Sequence, residues 1–419
     1  MTPTDRPAMR AFLEHRRAAQ VAFLADLVRA PSDNPPGDCA EHAARTTELL
    51  EELGFTVERH RVPADVARAH GMRSVTHLVV RRHFGAGSEQ AGPVIALNAH
   101  GDVVPPGEGW TTDPYGAEIR DGWMYGRGAA VSKSDIATYT FALAALEHAG
   151  VPLHGTVELH ITYDEETGGE IGPKWLLEQG ISKPDLAIGA GFSYAVVNAH
   201  NGVLHLEVEV GGRSAHAAKP YTGIDALEAA TGILSGLYKW RTGLAARESK
   251  IPGIGAPQLT VGLISGGINT NVVPDKVVFR MDRRIVPEEN PSDVERELRD
   301  VIAGAAGAFA GVRVEVRKIM LATPLTPLPG GQALTELLCA HASRVMGETI
   351  TPSGVPLYTD ARHYTAAGVP IALYGAGPRT IEEANAHRAD ERVPLAELYR
   401  ATEVIALTLA DLLTGAGDA

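Results

Sequence analysis

Apolar and polar positions along the chain fall into two textures. Up to about Leu53 the spacing is helical, with a Pro/Gly loop at Pro31–Gly37 and a second helix from about Ala40 to Leu53. Beyond that point short apolar runs alternate with amphipathic stretches. Pro93–Ala99 (PVIALNA) is an apolar run of strand length, and Ile136–Ala149 has helical spacing that stops before Gly150. Thr156–Tyr163 alternates as a strand, Ile171–Gln179 reads as a helix and Asp185–Ile188 as another strand. Such alternation predicts an α/β fold with a mostly parallel sheet and helices on both faces.

The texture changes at Asn201–Gly202. Val203–Val210 (VLHLEVEV) alternates strictly and is followed by a helix at Gly223–Trp240. Strands at Gln258–Ile264 and Val277–Arg284, a helix at Pro291–Phe309 and a strand at Val312–Ile319 complete the segment. The order β-α-β-β-α-β is that of the ferredoxin-like unit, and about 115 residues suits an inserted second domain. The Pro-rich stretch Thr323–Pro329 reads as the return linker, after which βα character resumes. The expected division is residues 1–202 and 320–419 for the first domain and 203–319 for the insertion. No internal repeat or low-complexity segment stands out.

Composition narrows this picture by exclusion. At 419 residues the chain is too long for one ordinary core, and 44% apolar with 21% charged residues is a globular balance. No apolar run approaches the roughly 18 residues that span a bilayer, and the first twenty residues lack a basic-then-apolar leader pattern. The net charge of -13 argues against nucleic acid and anionic membrane as partners. Cys39 and Cys339 are far apart and fit buried thiols in a reducing compartment, so a cytoplasmic location is expected.

Four clusters carry candidate chemistry. His100-Gly-Asp102 directly follows the strand Pro93–Ala99, at the kind of strand end where open α/β sheets collect ligands. The histidine can bind a metal there while the carboxylate two residues on fixes its tautomer; a His–Asp pair closing a turn is the plainer alternative. Asp164-Glu165-Glu166 follows the strand Thr156–Tyr163, and three adjacent carboxylates repel unless a cation sits among them. One glutamate could bind the metal and its neighbour take a proton from water, the alternative being a solvated acidic loop. His387, with Glu391 four residues on, gains meaning only if it folds back to these clusters. His216, in Ser214-Ala-His216, lies just past the first inserted strand and would need domain closure or a partner subunit to join them. No HExxH helix, GxSxG elbow or phosphate loop occurs, which leaves a metal-activated water as the nucleophile.

Ordered motifs over nearly the whole chain carry a resemblance. They are Asn98-Ala-His-Gly-Asp-Val-Val-Pro105, Trp110 and Pro114, Tyr125-Gly-Arg-Gly-Ala129, Lys133, Asp164–Gly169, Gly212–Pro220, Gly266–Pro274, Asp282 with Arg284, Thr359-Asp-Ala-Arg362 and His387–Glu391. Together they are similar to the acetylornithine deacetylase, succinyl-diaminopimelate desuccinylase and carboxypeptidase G family of metallohydrolases. The resemblance implies a catalytic α/β domain carrying an inserted lid or dimerisation domain, a homodimer, and hydrolysis of a C–N bond in an N-acyl amino acid or small peptide. It implies Glu165 as general base, His100, Glu166 and His387 as metal ligands, and Asp102 as the support of His100. His216 resembles the histidine that reaches the partner's active site and polarises the substrate. Arg284 and Asn271 resemble binders of a substrate carboxylate, a role that suits a guanidinium fork, and Arg362 is a further candidate contact. A structural pair between Arg284 and Asp282 is the alternative.

Two ligand positions of the resembled family are missing. Val131 stands where a metal-bridging aspartate is expected, and Ala190-Gly191 where an acidic ligand is expected. Neither side chain can donate to a metal. The remaining two histidines and one glutamate match mononuclear zinc sites, so one divalent ion per active site is expected, with zinc, manganese and cobalt all admissible. Asp135, four residues after Val131, would replace the lost bridge if that stretch were helical. An altered ligand set also admits an offshoot resembling 5-nitroanthranilate aminohydrolase, or a non-catalytic binding protein; the retained Glu165 speaks against the latter.

Overall fold

A computed structural model describes residues 6–85 and 92–414. The chain divides into two compact units: one holds the chain up to Asn198 with 327–353 and the residues from Thr359 onward, the other holds 199–326 and 354–358.

The first unit is built on an eight-stranded sheet. Its strands run, in spatial order, Val57–Arg61, Thr76–Phe84, Gly155–Thr162, Val94–His100, Leu186–Gly189, Ile371–Leu373, Val196–His200 and Pro352–Val355. The four from Gly155–Thr162 to Ile371–Leu373 are mutually parallel. Val57–Arg61, Thr76–Phe84 and Val196–His200 pair antiparallel outside them. The sheet is therefore parallel at its centre and antiparallel toward its edges, the edge strands having escaped the sequence reading because their residues are mixed in polarity.

Alternation in Thr156–Tyr163 suggested a half-buried strand, yet all eight residues of Gly155–Thr162 are buried. Its polar members are buried because they pair. Glu158 accepts from Arg81 at 2.8 Å and faces His160 at 3.0 Å, and His160 meets the Tyr364 hydroxyl at 2.8 Å. These partners hold the Glu158 carboxyl down to about 2 against the upward push of its burial.

The helix expected at Ile136–Ala149 spans Lys133–Ala145 and tightens into a 3₁₀ turn at Leu146–His148. It is buried almost all round, packed against the helices Pro7–Arg29 and Leu395–Leu413, and apart from the polar residues of its first turn and Thr138 and Thr140 its sequence is largely apolar. A small sheet of Glu118–Arg120, Trp123–Tyr125 and Arg392–Pro394 ties the segment before this helix to the one after His387.

The second unit is a four-stranded antiparallel sheet in the order Gln258–Gly266, Lys276–Ile285, Gly202–Gly211, Arg313–Ala322. With helices Ala226–Arg241 and Pro291–Ala306 packed together, this is the ferredoxin-like arrangement. Leu204, Leu206, Val208 and Val210 all point into its core, as strict alternation demands. Both helices start on side-chain caps: Asp225 accepts from the Leu227 and Glu228 amides, and Asn290 from those of Ser292 and Asp293. The edge strand Gln258–Gly266 exposes Leu263 and Ile264, with Ile268 exposed just beyond.

Candidate active site and metal centre

Two parallel neighbours, Val94–His100 and Gly155–Thr162, end side by side, and His100 pairs with Thr162 in register. The next residues of each chain segment therefore emerge together at the carboxyl edge of the sheet, the expected place for a ligand. This juxtaposition builds the site. The ligand atoms of His100, Glu165 and Glu166 all lie within 4.8 Å of one another.

Asp102 organises the group. The Nδ1 edge of His100 lies 2.9 Å from the Asp102 carbonyl oxygen and 3.5 Å from its carboxylate. Nδ1–H donates to that carbonyl, so Nε2 is the nitrogen turned toward the glutamates, 4.0 Å from Glu165 Oε2. The fully buried Asp102 carboxylate accepts from the backbone amides of Glu165 at 3.3 Å and Glu166 at 3.2 Å, and from Asn34 Nδ2 at 2.9 Å. Asp102 thus positions His100 through its backbone and both glutamates through its side chain. Asn34, from the Pro31–Gly37 loop, was not singled out in the sequence; only its contact with Asp102 reveals it.

The three consecutive acids divide. Asp164 turns inward and accepts the Ile171 amide at 2.7 Å, fastening the loop. Glu165 and Glu166 face the site. Burial, with Glu166 and Asp102 adding repulsion, pushes the Glu165 carboxyl up to about 8, although His100 and Arg362 pull the other way. Burial opposes protonation of His100, but Asp102, Glu165 and Glu166 together raise it well above its ordinary range. Such mutual repulsion is what a cation relieves, and two glutamates and an imidazole are ordinary donors for zinc or manganese. The donor set fits a divalent ion.

His387 comes back to this edge. Its Nε2 lies 3.6 Å from Glu166 Oε2, and that contact raises its pKa. Its backbone has φ +59°, a left-handed conformation unusual for a non-glycine residue. Glu391 is an anchor, pairing with buried Arg127 at 2.5 Å and accepting the Ala130 amide at 3.1 Å, and its charge also helps to raise the His387 pKa. Arg362 is buried and donates to the Gly168 carbonyl, bracing the loop that carries the glutamates.

Asp135 lies within the helix that starts at Lys133, so Val131 precedes the helix and the two do not share a helical face. The Asp135 side chain accepts the Ala376 amide at 2.7 Å and presses on Gly375, where a Cβ would not fit. Burial pushes its carboxyl up to about 8. It is not part of the His100, Glu165 and Glu166 group.

His216, Asn271 and Arg284 belong to the second unit. His216 pairs with Val272 in a short antiparallel bridge and the Ala217 amide donates to the Asn271 carbonyl at 3.0 Å, which brings His216 and Asn271 together. His216 is exposed, its Nδ1 accepting the Ala218 amide at 3.1 Å. Arg284 Nε donates to Asp282 at 3.0 Å, and Asp282 is also bonded to His205 at 2.9 Å.

An α/β sheet with a histidine and two glutamates gathered at its parallel strand ends is a setting in which a divalent ion can be held. The family is plain from comparison: residues 96–411 match the model of peptidase family M20/M25/M40, and the chain belongs to that family. It is accordingly a hydrolase of C–N amide bonds from a metal-dependent family. It is 28% identical over 425 residues, 99% of each chain, to succinyl-diaminopimelate desuccinylase of Gluconacetobacter diazotrophicus. It is 29% identical to acetylornithine deacetylase of Myxococcus xanthus over 87% of this chain and 90% of the relative. The YXEP protein of Bacillus subtilis, described as a dinuclear metal-binding peptidase, shares the fold at a TM-score of 0.67, covering 96% of this chain and 99% of its own at 18% identity.

Proposed function

We propose that this chain hydrolyses the amide of a small, carboxylate-bearing N-acyl amino acid or peptide, with Glu165 as general base and one divalent ion held by His100, Glu166 and His387. The observation that carries the reading is the convergence of ligand atoms of His100, Glu165 and Glu166 within 4.8 Å, with His387 Nε2 3.6 Å from Glu166, while Val131 and Ala190 offer no donor for a second ion.

A bound divalent ion would polarise the scissile carbonyl and acidify water. Glu165, raised toward neutral pH, is suited to accept the water proton and return it to the leaving amine. Asp102 holds His100 and the glutamate loop in register throughout. His216 would stabilise the developing oxyanion, and Asn271, Arg284 and Arg362 are the candidates to orient the substrate carboxylate. Arg284 is already engaged by Asp282, so its role there requires sharing or exchanging that partner. A homodimer is supported by the edge strand Gln258–Gly266, whose exposed Leu263 and Ile264 offer an unpaired apolar edge to a second copy. Among the described residues no helix is long and apolar enough to cross a membrane. Both cysteines are free, in keeping with a reducing, cytoplasmic setting.

The test is a screen of metal-loaded protein against N-acyl amino acids, dipeptides and aminoaromatic acids, with metal counted per chain. Turnover of amides with one tightly held ion is expected. Two tightly held ions overturn the single-metal reading, and turnover of the aminoaromatic acids alone overturns amide hydrolysis in favour of the aminohydrolase.

A further inference from the structure

Gly101 donates its amide to the Thr162 carbonyl at 2.8 Å, on one side of the strand Val94–His100. Backbone amides alternate between the two sides of a strand, so the His100 amide faces the other neighbour, Leu186–Gly189. That neighbour has already ended. Its last rung is the bond from the Ala190 amide to the Asn98 carbonyl at 2.9 Å. The buried His100 amide finds its acceptor elsewhere, in the hydroxyl oxygen of Ser132 at 2.8 Å. The rest of the turn is fastened separately, the Gly101 carbonyl accepting the Ser32 hydroxyl at 2.5 Å.

A serine just before a helix ordinarily turns its oxygen onto the amides of that helix's first turn. Ser132 stands just before Lys133–Ala145, and its carbonyl accepts the Asp135 and Ile136 amides at 2.9 and 3.1 Å. Its side chain makes no such cap. The hydroxyl oxygen is given to His100 instead, so the helix forgoes a contact that serine is well suited to make. The helix is also a firm reference. Lys133 Nζ donates to the Ala30 carbonyl at 3.0 Å, Asp135 accepts the Ala376 amide at 2.7 Å, and the Tyr139 hydroxyl donates to the Tyr374 carbonyl at 2.8 Å. A hydrogen bond can place a ligand only where its acceptor is itself fixed.

We propose that Ser132 is a positioning residue of the metal centre, its hydroxyl oxygen setting the backbone of His100 and through it the place of Nε2 beside the glutamates. The inference rests on the metal reading given above, since a displaced backbone matters only if His100 is a ligand. Asp102 directs the imidazole by its Nδ1 edge, and Ser132 holds the stem from which the ring extends. Without the oxygen the buried amide must move to find another acceptor, and a shift of about 0.5 Å is enough to spoil the placement of a ligand.

Chelator competition for zinc, with the fold checked by circular dichroism, tests this. Ser132→Ala should weaken zinc binding by about 10–100-fold, while Ser132→Thr, which keeps the oxygen, should stay within about threefold of wild type. Ser132→Val has the shape of threonine without the oxygen and should fall with alanine. The visible spectrum of cobalt-loaded protein should divide the same way, with wild type and threonine alike and alanine and valine shifted, because its bands follow ligand geometry. Wild-type zinc affinity and cobalt spectrum in Ser132→Ala overturn the proposal even if that variant unfolds more readily, because the hydroxyl then supports the fold alone. Should Ser132→Ala fail to fold, equal zinc affinity of the threonine and valine variants overturns it as well. Wild-type protein that takes up no zinc would instead remove the metal reading, and this inference with it.

Discussion

Replacing Glu165 with glutamine should have opposite effects on activity and on the metal-free fold. In the absence of a cation the Glu165 carboxyl is raised from 4.5 to about 8, chiefly by burial. A folded-state pKa above the unfolded one means the folded protein holds the proton more tightly. The associated stability is therefore fully present below pH 4.5 and is lost as pH rises toward about 8. At about 1.36 kcal/mol per pH unit the full span amounts to at most about 5 kcal/mol. The partial exposure of the side chain, 18%, and the acids around it reduce the measurable part to about 2 kcal/mol. Glutamine keeps the shape and carries no charge at any pH, so the variant escapes this loss. Denaturant unfolding of chelator-treated protein from pH 5 to 9 should show the wild type losing stability relative to Glu165→Gln, by about 2 kcal/mol at pH 9. Loss of the general base should at the same time lower kcat of the metal-loaded enzyme by about 10²–10⁴. Parallel pH profiles for the two apo proteins would refute the electrostatic account of the site, and unchanged kcat would refute the role of Glu165.

Four further outcomes follow from named contacts. Asp102→Asn should weaken metal binding by about 10–100-fold, measured by chelator competition, because an amide cannot accept from Asn34 and both glutamate amides at once. Val131→Asp combined with Ala190→Glu should raise the tightly held metal from one ion to two per chain by elemental analysis; a count unchanged from wild type would show that more than the missing donors excludes the second ion. Glu391→Gln should destabilise the protein by about 3–5 kcal/mol in denaturant unfolding, since it leaves the buried Arg127 charge without its counter-charge, and should weaken metal binding by displacing His387. Mixing His216→Ala with Glu165→Gln protein should restore part of the activity if the histidine acts across a homodimer, and mixtures no better than either parent would argue against that arrangement.

Much of the candidate site was legible because its residues sit at or just after the ends of apolar strand runs. His100 ends the strand Val94–His100 and Asp102 follows it, while Glu165 and Glu166 follow Gly155–Thr162, so local pattern alone placed them at a sheet edge. The ferredoxin-like unit was legible for a similar reason: one-sided burial imposes strict alternation, as in Gly202–Gly211. Other features carried no local sign. Thr76–Phe84 and Val57–Arg61 are mixed in polarity, and their pairing rests on neighbours distant in sequence. The tie of Glu391 to Arg127, 264 residues away, carried no local sign beside the nearby His387.

The sequence by itself determined the chemistry on offer: which acids and imidazoles exist, which strand ends they follow, and that Val131 and Ala190 cannot donate to a metal. Those are properties of side-chain composition and of period-two or helical spacing, both of which are local. Only the tertiary structure decided which acid faces the site and which braces it. Asp164, Glu165 and Glu166 are neighbours with nearly the same chemistry, yet Asp164 turns to the Ile171 amide while the other two are held toward His100 by Asp102. It also left Asp360 buried with an oxygen unpartnered, a fact without trace in the sequence. The reason is physical: desolvation and hydrogen-bond geometry depend on what packs around a group in three dimensions, and the distant segments that supply those neighbours meet only when the chain folds.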